Sequence, residues 1–367
     1  MMSTLSTEDR ESFRDNLRRF LSAHADISSV RSFSEHERPY DPELLRSLVE
    51  LGLFELLVSE ERGGLGGGAQ DMVAVLEELG RTLSPLPILG NLVVAPFLLA
   101  HSEAPDLSAT INRIRSGEIS VALAGNASFV PVPDANMLLE CDSNSRLTGY
   151  VSMVLDGVYA DLILIGVEKE GTTALYLIEK AHLSECKTLA TNDPGLRLAS
   201  LHFDQAACIM LPKLSEFILS QSHDLGLLAI AALQVGGARA IFETTIQYLK
   251  DRYQFGRPIG SFQAVKHIAA DLFVELESAT SALRSAAERF DSSPSGSARS
   301  IALAAFTCSD VFTQTAAQAI QLHGGIAYTR EHCAHLYWRR ARSLATMYGN
   351  SDGHRERYLR TWEEAAQ

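Results

Sequence analysis

The segment Asp251-Arg252-Tyr253-Gln254-Phe255-Gly256-Arg257-Pro258-Ile259-Gly260-Ser261-Phe262-Gln263-Ala264-Val265-Lys266-His267 limits the fold more than any other stretch of the chain. Gly256, Pro258 and Gly260 interrupt a helical pattern, and beyond them Phe262, Val265, Ile268, Leu272 and Leu276 recur at three- and four-residue steps. The spacing predicts two long helices joined by a bend. Arg252 then stands at the end of one helix and Gln263 at the start of the next, so a guanidinium, an amide and free helix N–H groups converge on one corner. Such a corner suits a phosphate-bearing ligand. For an isolated pair the plainer reading is a helix-end cation and a solvated amide.

A downstream segment, Gln321-Leu322-His323-Gly324-Gly325, reverses that preference. Together the two closely resemble the signature bend and the Gln-x-x-Gly-Gly segment of the acyl-CoA dehydrogenase family, flavoproteins that desaturate acyl-CoA thioesters between the alpha and beta carbons. The resemblance implies an N-terminal all-α domain, a middle antiparallel β-barrel and a C-terminal helical bundle. In that family the two segments meet across a subunit interface and hold FAD bound mainly by a neighbouring subunit. By resemblance, Arg252, Phe255, Gln263, Gln321, Gly324 and Gly325 are the cofactor-binding residues here.

Patterning along the chain agrees with three parts, residues 1–117, 118–215 and 216–367. Ser3 or Ser6-Thr7 can cap a first helix through Phe13, Leu17, Phe20 and Leu21; Asp41-Pro42 starts a second; Gln70 to Gly80 forms a third. Gly63-Gly64-Leu65-Gly66-Gly67-Gly68 follows no strand and lacks the Lys-Ser/Thr of a P-loop, so it reads as a flexible connection rather than a phosphate cradle. Short alternating or apolar runs then predict strands at 119–124, 137–140, 146–155, 160–167, 173–178 and 201–203. From His223 onward the pattern is helical again, broken near 256–260, 292–297, 324–325 and 349–353, which describes a bundle.

Composition narrows the partners. A chain of 367 residues, 46% hydrophobic, has enough for two or three domains. Its formal net charge of -13, without a dense basic run, argues against nucleic acid and anionic membrane surfaces. Cys141, Cys186, Cys208, Cys308 and Cys333 are odd in number and far apart, which predicts buried, reduced thiols in a cytoplasmic protein. Met1 to Arg10 does not read as a signal or transit peptide, no apolar run suggests a membrane span, and no His, Cys or acidic spacing predicts a metal site. His267 and His323 near the motifs, and His332, His335 and His354 beyond them, read as core or surface histidines. Trp338-Arg339-Arg340-Ala341-Arg342 could meet a CoA phosphate, though a basic face closing a helix is the more ordinary role.

The desaturation needs a base for the alpha proton and a flavin for the hydride. In the resembling family the base is a glutamate, either after a Tyr near the C-terminus or early in the helix leading to the bend. Aligned on Tyr348, the first place is Gly349; counted back from Arg252, the second is Gly226. Neither can take a proton, so no catalytic residue is assigned. Asp224 and Asp352 are the nearest acids, and the plainer role for both is at a helix end. The family's flavin-shielding loop is reduced here to Ala124-Gly125-Asn126-Ala127-Ser128-Phe129, and Met153 and Leu155 stand where a Trp and a Thr belong.

What persists is the half of the site lent to a neighbour. The chain is similar to the base-less partner in a family branch that degrades steroid side chains, where two different chains form an alpha2-beta2 tetramer. The resemblance implies an FAD-dependent acyl-CoA dehydrogenase subunit acting on acyl-CoA with a Glu-bearing partner chain and passing electrons to an electron-transfer flavoprotein. Two alternatives stay open: a homo-oligomeric dehydrogenase with an unusual base such as Asp224 or Asp352, and a flavin-free acyl-CoA-binding or structural protein.

Overall fold

The computed structural model describes residues 5–25, 27, 30–31, 40, 42–102, 107–125, 137–169, 172–193 and 195–365. The helices are α1 (Thr7–His24), α2 (Pro42–Glu50), α3 (Ala69–Thr82), α4 (Ala95–His101), α5 (Ser108–Arg115), α6 (Glu216–Asp251), α7 (Gln263–Ser292), α8 (Ala298–His323), α9 (Ala334–Leu344) and α10 (Ser351–Ala365). The strands are β1 (Val121–Gly125), β2 (Leu138–Cys141), β3 (Arg146–Leu155), β4 (Leu162–Lys169), β5 (Thr172–Glu179), β6 (Glu185–Leu189), β7 (Leu198–Ala207), β8 (Ile209–Met210), β9 (Tyr253–Gln254) and β10 (Arg257–Pro258). Two compact units result, one of residues 1–5, 29–72 and 85–227, the other of 6–28, 73–84 and 228–367.

The first unit is built on an eight-stranded sheet of order β6-β7-β3-β1-β4-β5-β8, with β2 also paired to β3. Leu147, Val151, Ile163, Ile165, Ile178, Leu201 and Phe203 form its buried core. Two expectations fail here. The sheet does not close into a barrel, since no ladder joins β6 to β8 among the described residues. Nor is it wholly antiparallel, because β1 and β4 run parallel from Val121↔Leu162 to Gly125↔Gly166. Both strands are buried apolar runs, and such runs carry no information about direction. The edges explain the open shape: β8 has only two residues and β6, Glu-Cys-Lys-Thr-Leu, is polar and largely exposed. Beside the sheet, a π-helical turn at Leu89–Val94 buries Asn91, whose amide bonds the Ile119 carbonyl (3.1 Å) and the Val121 N–H (2.7 Å) and so fixes the start of β1.

The glycine-rich run is also not a flexible connection. Leu65, Gly66 and Gly67 donate backbone bonds of 2.8–2.9 Å to Glu55, Val58 and Leu56, and a Cβ on Gly64 would lie 2.1 Å from the Val58 oxygen. Close backbone approach, rather than mobility, is what the glycine supplies. Arg115 clamps the turn through the Gly63 carbonyl and Glu55.

In the second unit α1 is capped by Ser6, whose hydroxyl accepts from the Asp9 N–H at 3.1 Å; the other expected cap, Ser3, lies outside the described residues. Helix α3 supplies buried Val73, Val75, Leu76 and Leu79, and a Cβ on Gly236 of α6 would meet the Glu77 oxygen at 1.9 Å, so α3 and α6 touch backbone to backbone. Two acids are buried at this contact, and both are paired. Glu78, 2% exposed, takes two bonds from Arg18 (2.8 and 2.7 Å) with Arg81 at 3.6 Å, and Glu77 pairs with Arg284 at 3.3 Å. The bond to Glu78 raises the pKa of Arg18 further. Helices α7 and α8 close the bundle with Leu276, Leu283, Ala302 and Phe312.

Against expectation, one apolar run does reach membrane length: α6 contains an 18-residue window of mean hydropathy 1.7. Of that window 83% is buried inside the protein, as for a core helix. All five cysteines are free thiols, but only Cys208 and Cys308 are buried; Cys141, Cys186 and Cys333 are half-buried.

Candidate functional site

The bend is a β-hairpin between helices. Backbone pairs Arg257↔Gln254 and Pro258↔Tyr253 join β9 to β10, and Phe255 and Gly256 form the turn at φ 52° and 76°. Both central residues at positive φ fit the hairpin's twist, which is the local reason for a glycine there. The Ile259 N–H returns to the Arg252 carbonyl at 2.8 Å, so the end of α6 is folded against the start of α7.

The second motif meets the first through Tyr248 and His323. The Tyr248 hydroxyl donates to the His323 carbonyl at 3.3 Å and the two rings lie 4.5 Å apart. His323 is buried, with Nδ1 2.7 Å from the Ala319 oxygen and the His332 ring at 4.3 Å; burial lowers its pKa, with the Ala319 carbonyl opposing. Its Nε2 is buried without a hydrogen-bond partner among the described residues. Tyr248 is the residue sequence reasoning missed, since it lies one helical turn before Arg252 and looks like an ordinary packing aromatic.

The six expected cofactor residues, Arg252, Phe255, Gln263, Gln321, Gly324 and Gly325, are all exposed. Arg257 sits 4.0 Å above the Phe262 ring, whereas Arg252 makes no ion pair or side-chain hydrogen bond among the described residues. The same holds for the amides of Gln263 and Gln321. No side chain caps α7 at Phe262, so the N–H groups of its first turn lack a side-chain acceptor there. Phe255 is 91% exposed, with only an edge contact to Phe262 at 6.2 Å. Gly324 ends α8 at φ 66°, where glycine is needed. Gly325 has no such φ, and a Cβ on it would meet nothing within 4 Å. Among the described residues nothing accounts for a glycine at 325. An unpaired guanidinium, two unpaired amides and uncapped helix N–H groups can hold a diphosphate.

The places expected for a base look different. Gly349 has φ 109°, beside Tyr348 at 56°, and a Cβ there would lie 3.4–3.6 Å from the buried His354 ring. Gly226 is buried in α6. Asp352 sits in the first turn of α10 with its side chain 90% exposed, paired to Arg355 at 3.2 Å. Asp224 is buried with His223 at 3.7 Å. Met153 lies at a β-bulge of β3, half outside the sheet at φ 59°, and Leu155 is buried opposite Leu123 and Leu198. Residues 126–129 of the reduced flavin loop lie outside the described residues. His267 is exposed on α7.

The acyl-CoA dehydrogenase N-terminal domain profile matches residues 7–117 and the C-terminal domain profile residues 221–362. Acyl-CoA dehydrogenase IpdE2 of Mycolicibacterium smegmatis is 33% identical over 347 residues, covering 94% of this chain and 95% of its own. Acyl-CoA dehydrogenase FadE34 of Mycobacterium tuberculosis is 31% identical over 96% of this chain, which spans only 47% of that longer protein. The solved ChsE4-ChsE5 complex from Mycobacterium tuberculosis contains a chain 26% identical, with a TM-score of 0.86 and 99% of each chain covered. The chain belongs to the acyl-CoA dehydrogenase family, and its helical, sheet and helical parts follow that fold.

Proposed function

We propose that this chain is the base-less subunit of a two-chain, FAD-dependent acyl-CoA dehydrogenase. Its exposed corner of Arg252, Phe255, Gln263, Gln321, Gly324 and Gly325 completes the flavin site of a Glu-bearing partner. The three family domains span 1–117, 118–215 and 216–367. The carrying observation is the contrast at the two motifs: polar side chains unpaired among the described residues, with Gly325 in open space, against Gly349 and Gly226 where a base belongs.

FAD, when bound, supplies the hydride acceptor for the beta carbon. This chain's residues would do the binding: Arg252 and the α7 N–H groups hold phosphate oxygens, Gln263 and Gln321 donate or accept beside them, and Phe255 packs against the neighbour. The alpha proton would go to the partner's carboxylate, and an electron-transfer flavoprotein would be the electron acceptor. A bulky acyl-CoA such as a steroid side-chain thioester is the substrate class. The two-chain assembly of ChsE4-ChsE5, and a FadE34 chain about twice as long as this one, support pairing of two such units.

Co-expression with a Glu-bearing acyl-CoA dehydrogenase chain tests the reading. A yellow, active complex from two colourless or inactive chains is expected, and an Arg252→Ala complex that keeps its full flavin would refute the role of the corner. A homo-oligomeric enzyme has one observation in its favour, the buried His354 ring beside Gly349. It predicts turnover by this chain alone that His354→Gln abolishes.

A further inference from the structure

Two of the five free thiols meet at the sheet of the first unit. The Sγ atoms of Cys141 and Cys208 lie 3.7 Å apart, although 67 positions separate the two residues in the chain. Cys141 ends β2, which pairs with β3, and Cys208 lies between β7 and β8 on the other side of β3. A single turn holds both. The Asp142 carboxylate accepts from the N–H groups of Asn144 (2.8 Å) and Arg146 (2.9 Å), which tightens the β2–β3 connection directly after Cys141. At the end of that turn the Ser145 carbonyl accepts from the Cys208 N–H at 3.1 Å. Cys186 and Cys308 instead have backbone oxygens, of Gly157 and Ala279, at 3.7 and 3.6 Å from their sulfurs.

A disulfide needs about 2.05 Å between its sulfurs, and rotation about the Cα–Cβ bonds sweeps each sulfur through an arc larger than the remaining gap. The two thiols differ in access. Cys208 is buried in the core of the sheet, and burial, with the hydrogen bond to Cys141 second, pushes its thiol up to about 12, so it keeps its proton at neutral pH. Cys141 is half-buried and is the sulfur an oxidant reaches first. We propose that Cys141 and Cys208 form an oxidative modification site, which hydrogen peroxide converts to a reversible disulfide. In the first step a Cys141 S–O bond forms as the peroxide O–O bond breaks, and the thiol proton leaves with one water. In the second step the Cys208 sulfur attacks the Cys141 sulfur, the S–O bond breaks, and the Cys208 proton leaves with a second water. The two thiols thus give up two electrons together, and one peroxide is reduced to two waters. The product fastens the end of β2 across β3 to the β7–β8 junction and closes a loop that contains β3 to β7.

Peptide mapping of the full-length chain tests it. Native protein is treated with hydrogen peroxide, remaining thiols are counted and blocked with a maleimide in denaturant, and the digest is read by mass spectrometry. The expected result is a fall from five thiols to three, with a linked Cys141–Cys208 peptide as the main cystine, and recovery of all five after dithiothreitol. In Cys208→Ser, Cys141 should stop at a sulfenic acid that dimedone traps, and in Cys141→Ser, Cys208 should remain a thiol. Cys208 is buried, so the decision rests on the wild-type map, which needs no variant to fold. Absence of the linked peptide at every peroxide concentration that leaves the circular dichroism unchanged, or a main cystine joining other cysteines, overturns the proposal. These readings involve neither flavin nor a second chain, so failure of the two-chain assignment would leave them as they are.

Discussion

The corner at Arg252 and the segment at Tyr348-Gly349 both lie at helix ends in the same unit, yet their glycines answer to different surroundings. At the corner, Gly325 has ordinary backbone and open space around it, and the side chains of Arg252, Gln263 and Gln321 have no hydrogen-bond or ionic partner among the described residues. At the other segment, Gly349 is held at φ 109° between a buried Tyr348 and a buried His354. The first region presents polar side chains without partners among the described residues, and the second holds a glycine at positive φ beside buried rings. A subunit that lends binding groups but performs no proton transfer has both features.

The largest effect that separates the regions should come from Arg252. Charge-assisted hydrogen bonds contribute about 1.5–3 kcal/mol, so Arg252→Ala should weaken FAD retention in the two-chain complex roughly 10- to 100-fold, read by flavin absorbance after dialysis. Gln321→Ala removes a neutral donor at the same corner and should cost about 0.5–1.5 kcal/mol, a loss of roughly tenfold or less. A larger loss at Gln321 than at Arg252 would break the assignment of phosphate to the guanidinium.

One substitution made in both places sharpens the contrast. Gly349→Ala puts a side chain at a positive φ and should lower stability by about 1 kcal/mol or more, seen as a lower chemical midpoint. Gly325→Ala should leave the stability of the chain within about 0.5 kcal/mol and weaken only assembly or flavin retention. Equal stability losses at the two sites would remove the distinction.

The tie between the motifs should titrate. His323 has Nδ1 on the Ala319 carbonyl, which can only accept, so the neutral ring carries its proton there and Nε2 is the bare nitrogen. Protonation would place a proton on a buried atom, with Tyr248 and His332 as the ring neighbours. Burial holds the folded pKa below the ordinary histidine value, so the stabilisation is present above the unfolded pKa and is lost as pH falls through the folded one. Thermal stability should therefore decline below about pH 6.5, and His323→Gln should flatten that part of the profile. The smallest effect is expected at Asp352: among the described residues its exposed carboxylate pairs only with Arg355, so Asp352→Asn should change stability by less than about 0.5 kcal/mol and leave turnover of the complex unchanged.

Much of this was legible in the sequence for physical reasons. Arg146–Leu155 alternates well enough that β3 is found at its predicted limits, and Asp41-Pro42 places the start of α2. Gly256 and Pro258 locate the bend, though not the β9–β10 hairpin within it, because four paired residues leave no periodicity to read. Strand β6 was missed because an exposed edge strand carries polar residues on both faces. The parallel β1–β4 pair and the open sheet depend on which apolar run lies beside which, and local pattern does not encode that. The glycine run at 63–68 misled because glycine marks close packing as readily as mobility, and only the 2.1 Å approach at Gly64 separates the two. At the candidate site the motif residues could be named in advance. The lack of side-chain partners for Arg252, Gln263 and Gln321 among the described residues and the Tyr248–His323 contact depend on residues far apart in the chain, and the approach of His354 to Gly349 depends on the backbone turn at φ 109°.

The most direct test is the flavin content of this chain purified alone and after co-expression with a Glu-bearing acyl-CoA dehydrogenase chain. The account predicts no retained flavin and no acyl-CoA desaturation alone, and one FAD for each pair of unlike chains in an active complex. A yellow preparation of this chain by itself that desaturates an acyl-CoA would contradict it.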